Sequence, residues 1–370
     1  MTRPLKIVIL GLSLSSSWGN GHATTYRSLL RGLHAEGHEV VFLERDVPWY
    51  ANHRDLAEPD FCRLLYYQGL EELLDRFATI IKDADAVVVG SFVPDGVKIF
   101  DAIADLNLCG LCFYDIDTPV TLARLEQGNE EYLARRQVPL FDVYFSFSGG
   151  RVLQRLQDEY AARRAVALYC SVDVERYCPT GEDTVWDLGY LGTYSSDRQP
   201  TLQRLLIEPA RHLPRMRFVV AGPQYPDDID WPPNVERIEH LAPSEHASFY
   251  SRQRFTLNIT RSDMIAAGWS PSVRLFEAAA CKTAIISDFW EGLADFLPAE
   301  AALVAYNAHD IVQALTELPD YHRGALAQNA HARVLAHHTG RVRAAEFARI
   351  LIEVREIAAR TPRRLYEVNV

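Results

Sequence analysis

The sequence predicts an α/β protein built from two doubly wound domains, and three observations predict it. Short apolar runs alternate with stretches of helical spacing along most of the chain, the pattern of right-handed βαβ units on a parallel sheet. The alternation lapses once, in the polar, Pro- and Gly-bearing "SVDVERYCPTGEDTVWD", and then begins again. The length of 370 residues is too great for one ordinary core and natural for two, since domains cluster near roughly 100–200 residues.

In the first half the strand "LKIVILGL" leads to the helix "HATTYRSLLRGLHAEG" and the strand "HEVVFLERD". The long helical stretch "FCRLLYYQGLEELLDRFATIIKDA", the strand "DAVVVGS", the helix "DGVKIFDAIADL", the strand "LCGLCFYD" and the apolar segments "FDVYFSFS" and "AVALYCS" follow. The junction falls near Pro179 to Asp183. Beyond it come "DLGYLGT", the helix "QPTLQRLLIEPARHL", "MRFVVAGP", "VERIEHL", the helix "SEHASFYSR", "FTLNITRS", "GWSPSVRLFEAAACKTAIISD", "ALVAY" and "AHDIVQALTEL". Residues 321–360 read as helical throughout, before a basic and polar tail. The expected domains are therefore 1–180, 181–340 and a C-terminal helix and tail, 341–370, that returns toward the first domain.

Composition narrows the function. A formal net charge of −11 argues against a general nucleic-acid binder, which needs a basic surface. Six scattered cysteines and no signal-peptide pattern at the N-terminus suggest a reducing, cytoplasmic setting. Cys109 and Cys112 have CxxC spacing but lie in a strand-like segment, where residues three apart point to opposite faces. No apolar stretch approaches the roughly 20 residues of a membrane span, so membrane contact would be at most peripheral.

Two segments of the second half suit a nucleotide. In "GWSPSVRLFEAAACKTAIISD", Ser270 is placed to cap a helix that begins at Pro271, because proline lacks only an N–H that would be orphaned there anyway. The N–H groups of Ser272 and Val273 then lie at the positive end of the helix dipole, a ready anion site. Glu277 sits four residues after Val273 and three after Arg274. It is placed either to pair with Arg274 on a solvated face or to accept two hydroxyls of a ribose; Leu275, Phe276, Ala278, Ala279, Ala280 and Cys281 leave little solvated face. The turn after "DLGYL", with Gly192, Thr193, Tyr194, Ser195, Ser196 and Arg198, offers amides, hydroxyls and a guanidinium to a diphosphate.

On these residues the sequence resembles the CgeB-like branch (spore maturation protein B type) of the group 1 glycosyltransferases. The run Gly268-Trp269-Ser270-Pro271-Ser272-Val273-Arg274-Leu275-Phe276-Glu277-Ala278-Ala279-Ala280-Cys281 carries the resemblance, with "GHATTYRSLLRGL", "FLERDVPWY", "FYDIDTPVTLARLE" and "YCSVD" in the first half. The resemblance implies the GT-B fold of two facing Rossmann-like domains, the nucleotide-sugar donor held mainly by the second and the acceptor mainly by the first. It implies Glu277 for the ribose hydroxyls, Ser272 and Val273 for the phosphates, Gly192 and Thr193 for the diphosphate, and His240 and Leu241 beside the base. Two departures stand out. Lys282 and Ala284 replace the usual Gly and Pro, so the helix is expected to end without its left-handed glycine cap. Trp269 occupies the first position of the Glu-x7-Glu pair of many retaining group 1 enzymes, which leaves the sugar-binding carboxylate and the stereochemistry open. Asp288 and Glu291 are its possible replacements.

In the first half, the loop "LSSSWGNGH" brings Gly19, Gly21 and His22 to the expected cleft, with His22 a base, a phosphate contact or a plain surface histidine. An NAD reading competes, because the acid Glu44 ends the second strand, but Gly-x-Gly-x-x-Gly fails at Thr24. Asp115 and Asp117 in "FYDIDTPVT" stand at the carboxyl end of a strand, where α/β sites form, and either one can serve as the base of an inverting transfer. Asp-x-Asp also resembles the metal clamp of the GT-A glycosyltransferases; its place opposite the donor half argues against metal, and Asp117 can equally be a helix cap. The expectation is a metal-independent, hexosyltransferase-type GT-B enzyme that needs no cofactor and moves a sugar from a nucleotide diphosphate to an unidentified saccharide, lipid, protein or small-molecule acceptor. A nucleotide-sugar epimerase and a non-catalytic binder are the alternatives.

Overall fold

The computed structural model describes residues 3–18, 21–106 and 110–360. Gly19, Cys109 and the tail 361–370 lie outside the described residues. The chain divides into two compact units, Met1–Tyr169 with Gly340–Val370, and Cys170–Thr339.

The first unit holds a seven-stranded, wholly parallel sheet of β1 (Lys6–Gly11), β2 (Glu39–Arg45), β3 (Arg63–Tyr67), β4 (Ala86–Gly90), β5 (Leu111–Asp115), β6 (Val143–Ser146) and β7 (Ala165–Ala167), in the order 3-2-1-4-5-6-7. Its central strands are buried along their whole length, as expected when helices cover both faces. The second unit repeats the plan with β8 (Trp186–Leu191), β9 (Phe218–Ala221), β10 (Val235–Ile238), β11 (Gln253–Asn258), β12 (Ala284–Ser287) and β13 (Leu303–Val304), in the order 10-9-8-11-12-13. In each sheet the order reverses beside its first strand, between β1 and β4 and between β8 and β11. Open α/β sheets bind ligands at such a point, outside the carboxyl ends of the strands.

The helical reading of 61–84 is corrected: β3 occupies its beginning and the helix runs only from Leu70 to Lys82. β3 is an edge strand paired with β2 alone, so its residues are mostly half-buried and lack the solid apolar run of a central strand. The helical tail is likewise two helices, Asp320–His337 and Gly340–Arg360. Thr339 bridges to Val172 between them. Helix Gly340–Arg360 then packs on His22–Ala35, where Gly32 and Gly340 let the backbones meet: a Cβ on Gly340 would sit 2.3 Å from the Ser28 carbonyl. Phe347 and Leu351 join Ile9, Leu30 and Phe42 in the core of the first unit, while Leu188, Leu205, Phe218, Phe255 and Ile286 build that of the second.

The helix that receives the turn after β8 runs from Gln199 to His212 with one π turn at Gln203–Ile207. The wide turn precedes Pro209, which has no N–H for the carbonyl four residues back.

Candidate functional site

In the second unit, the sites read from the sequence gather at the carboxyl end of the sheet. Gly192 ends β8, and its N–H donates to the Ala221 carbonyl at 2.9 Å. Neither Gly192 nor Gly222 has room for a side chain: a Cβ on Gly222 (φ +143°) would lie 2.1 Å from the Gly192 carbonyl oxygen. The two glycines let adjacent loops touch through their backbones. Tyr225 donates to the Gly192 carbonyl at 3.0 Å, and Tyr194 N–H donates to that of Pro223 at 3.0 Å. Thr193 is exposed; its carbonyl accepts from Arg198 at 2.7 Å. Ser195 hydrogen-bonds Asp197, which also accepts from Ser262 N–H at 3.1 Å.

Two guanidinium groups contact this turn, those of Arg198 and Arg274, and the exposed Arg261 lies near enough to act on Arg198. Arg274 donates to the Leu191 carbonyl at 2.5 Å and to Asn258 Oδ1 at 3.2 Å, and its guanidinium carbon lies 5.0 Å from the centre of the Tyr190 ring. Arg198 is pushed below the usual arginine range by burial and by the positive charges of Arg274 and Arg261. Its Nε is buried without a hydrogen-bond partner. The Asp197 carboxylate beside Arg198 and Arg261 is held below its usual range in part by their charges, and the guanidinium groups are of a kind that suits a polyanion. Arg261 was missed in the sequence, although "NITRS" put it just beyond a strand's carboxyl end.

The helix start is displaced from the expected place. Ser270 does not cap it; its hydroxyl donates to the Gly268 carbonyl at 2.8 Å, and Pro271 precedes the helix. Ser272 is the cap of helix Val273–Ala280, its side chain accepting from Arg274 N–H. The extended Ser270-Pro271-Ser272 segment follows from the sharp turn at Gly268 (φ +68°) and Trp269 (φ +42°). The N–H groups of Ser272 and Val273 make no hydrogen bond among the described residues.

Glu277 lies one turn further on, 6% exposed, and pairs with neither Arg274 nor solvent. Its Oε2 accepts from the Tyr250 hydroxyl at 3.1 Å, and the Tyr177 hydroxyl hydrogen-bonds it as well. Burial and this carboxylate hold both phenols far above the usual tyrosine range. Tyr177 also meets His246 Nδ1 at 3.3 Å, and burial pushes that imidazole down. These residues come from three separate segments: His246 and Tyr250 share one face of helix His246–Ser251, while no sequence spacing linked that helix to Tyr177 or Glu277. His240 and Leu241 follow β10 in the loop that leads to His246; His240 is exposed and Leu241 half-buried.

Asp288 is committed to the fold: its two oxygens accept from Thr260 N–H and Oγ1, both at 2.8 Å, tying the ends of β11 and β12. Burial raises its pKa. Glu291 is exposed, and its carbonyl accepts from Trp269 N–H at 2.7 Å. Trp269 packs on Gly292 and donates its indole N–H to Asp295 at 2.6 Å. The expected loss of the left-handed cap is corrected: Lys282 itself adopts φ +59°, and the Lys282 and Thr283 N–H groups donate to Ala279 and Ala278, both at 3.0 Å, a complete Schellman closure.

In the first unit the structure brings His22 and Asp117 together. Oδ2 of Asp117 accepts from His22 Nε2 at 2.6 Å. The other ring nitrogen, Nδ1, is buried with no partner among the described residues. His22 is 6% exposed, whereas the Asp117 side chain is 29% exposed. Asp117 N-caps no helix through its side chain. Phe92, strained at φ +59°, sets its ring edge-on to the imidazole at 5.7 Å. Gly21 immediately precedes His22 and is open on its Cβ side.

Asp115 is wholly buried and accepts from Tyr144 at 2.5 Å, Thr121 at 2.8 Å and Asp117 N–H at 3.2 Å. Burial pushes its pKa up to about 6. No group of three or more His, Cys, Asp or Glu suited to a metal occurs among the described residues. Glu44 is used otherwise than an NAD reading requires: it accepts from Leu14 N–H at 2.6 Å, Ser15 N–H at 2.9 Å and Ser15 Oγ at 2.6 Å, folding the loop after β1 onto β2.

Residues 198–349 match the family model described as glycosyl transferase-like. Among solved structures, sucrose-phosphate synthase from Thermosynechococcus elongatus superposes with a TM-score of 0.68 at 14% identity, covering 96% of this chain and 100% of the other. The fold is GT-B. Anabaena HepE in complex with UDP and glucose gives a TM-score of 0.65 at 12% identity over 94% of this chain and 100% of its own. An alpha-glucosyltransferase in complex with UDP-glucose and DNA gives 0.66 at 12% identity, over 95% and 100%. No curated protein sequence matches the chain. The matched stretch holds strands β9 to β13 of the second sheet, and among the described residues no helix is long and apolar enough to cross a membrane.

Proposed function

We propose that the protein is a CgeB-like, hexosyltransferase-type glycosyltransferase that moves a sugar from a nucleotide diphosphate to an acceptor hydroxyl, without a metal ion, in the cytoplasm. The observation that carries this is the pair of guanidinium groups, Arg198 and Arg274, on the Gly192 turn at the topological switch point of a sheet whose strands β9 to β13 lie in the stretch that matches glycosyl transferase-like sequences. In this reading the guanidinium groups and the free N–H groups of Ser272 and Val273 neutralise the diphosphate as its charge grows during departure. Glu277 binds the ribose, held by Tyr250 and Tyr177. Leu241 and His240 border the base, Glu291 lies on the sugar side, and Asp288 keeps the strand ends that carry these loops in register.

In this reading the His22–Asp117 pair takes the acceptor proton: Asp117 is the member open to an acceptor, and the buried His22 holds its carboxylate in place through Nε2. Asp115 supports Asp117 through its backbone N–H. The net charge of −11 favours a saccharide, lipid, protein or small-molecule acceptor over nucleic acid.

A thermal-shift screen of UDP-, GDP-, ADP- and dTDP-sugars tests the donor half, because saturating binding stabilises by RT ln(1 + [L]/Kd). One nucleotide series is expected to raise Tm; a flat response from all four, with the protein folded, removes the proposal. Turnover surviving EDTA is expected, and its loss would restore a metal to Asp115 and Asp117. The anomeric configuration of the product, read by NMR, decides between inversion and retention.

A further inference from the structure

The first unit carries a strip of aromatic rings that none of the residues above employs. Trp18, in the loop after β1, is 48% exposed, and Trp49, in the short helix Pro48–Ala51 after β2, is 62% exposed. His53 joins them: its ring stacks on Trp18 with centroids 4.6 Å apart and planes 13° apart, and lies 6.1 Å from the Trp49 ring. The strip is fixed from behind. Ser16 Oγ donates to the His53 carbonyl at 2.7 Å, and His53 Nδ1 donates to that of Trp49 at 2.9 Å. Ser17 donates twice to Asp55, at 3.0 and 2.8 Å, and Arg27 grips the same carboxylate through two nitrogens, at 2.9 and 2.7 Å. Rings held in place before binding lose little entropy when a ligand arrives.

We propose that Trp18, His53 and Trp49 form the platform on which a saccharide acceptor stacks, an inference that rests on the glycosyl transfer proposed above. A pyranose presents a face of C–H groups carrying partial positive charge, which complements the electron-rich face of an indole. The loop that bears Trp18 runs on into the helix that begins at His22, so the platform and His22 belong to one connection after β1. Charge decides against a lipid surface as the occupant. With Arg54 paired to Asp46 and Arg27 to Asp55, residues 46–60 keep Glu58 and Asp60 as net negative charge and contain no lysine, whereas interfacial membrane segments combine their aromatic residues with Lys and Arg. Carboxylates beside exposed rings accept hydrogen bonds from sugar hydroxyls.

Saturation-transfer NMR on the full chain tests this, using methyl hexopyranosides, cellobiose, maltose, lactose and mannobiose, with sedimentation on phosphatidylglycerol–phosphatidylcholine vesicles run in parallel. At least one saccharide is expected to receive magnetisation at its ring C–H protons, and Trp49→Ala and Trp18→Ala are each expected to weaken it about tenfold or more. Trp49→Phe should retain most of the binding. Both tryptophans are exposed, and the UDP affinity of the variants serves as the folding control. The platform is overturned if no saccharide binds, if the alanine variants bind as well as the parent, or if the tryptophan-dependent partner is the vesicle. Nucleotide binding without saccharide binding would remove the platform and leave the transferase reading; absence of nucleotide binding would remove the transferase reading itself.

Discussion

The two sheets share one strand order about their first strands but end in different chemistry. At the carboxyl ends of the second sheet stand glycines, free N–H groups and the arginines 198, 261 and 274. At those of the first stand Asp115, Asp117, His22, Glu44 at the end of β2 and, on the neighbouring segments, exposed indoles. One topology thus presents a guanidinium-lined end and an end of carboxylates and imidazole. The difference arises in a few loop residues, because the strands beneath are nearly uniform apolar runs whose task is packing.

That division makes separable predictions. The largest effect is expected from Asp117→Asn and His22→Ala, which should lower turnover by about 10²–10⁴-fold, the usual worth of a general base. Nucleotide affinity, measured by calorimetry, should not change in either variant. A comparable loss of nucleotide binding would erase the contrast between the units.

Next comes Asp115. Its pKa of about 6 in the folded protein lies above the ordinary value of 3.8. A raised carboxyl stabilises the fold below its unfolded pKa, and that contribution is lost as pH rises through the folded value. Two units correspond to ~3 kcal/mol. Urea unfolding from pH 3.5 to 7 should therefore show the parent losing about that much relative to Asp115→Asn. Parallel curves across that window would mean that the carboxyl is not buried as described.

In the second unit, Glu277→Gln should weaken nucleotide binding by about 1.5–3 kcal/mol, the worth of a charged hydrogen bond, with turnover at saturating donor little altered. An unchanged dissociation constant would take the ribose away from Glu277. The smallest effect concerns Lys282, a non-glycine residue at φ +59°. Lys282→Gly should stabilise the protein by roughly 1 kcal/mol in denaturant unfolding without touching nucleotide affinity.

Much of this was legible before any coordinates. The strands β1, β4, β5 and β9 are mainly continuous apolar runs, so their existence follows from composition and their parallel pairing from the helices between them. The Gly192 turn and the Glu277 segment were legible for the same reason, since a strand, a polar turn and a helix start are local events. Edge strand β3 was not legible, because a half-exposed strand blends into the helical spacing that follows it. The helix cap was read two residues early, because the Ser-Pro-Ser run offers two serines and only the turn at Gly268 and Trp269 selects Ser272.

What the sequence determined by itself is the α/β class and a repeated architecture in two parts, both consequences of periodicity and local backbone preference. Only the tertiary structure decided which side chains share a site. Asp117 binds His22 across 95 residues of chain, Glu277 takes its partners from Tyr250 and Tyr177 rather than Arg274, and Glu44 and Asp288 are committed to loops. The physical reason is that a hydrogen bond is chosen by distance in space among many chemically equivalent partners, and chain spacing fixes such distances only within one helix turn or one strand pair.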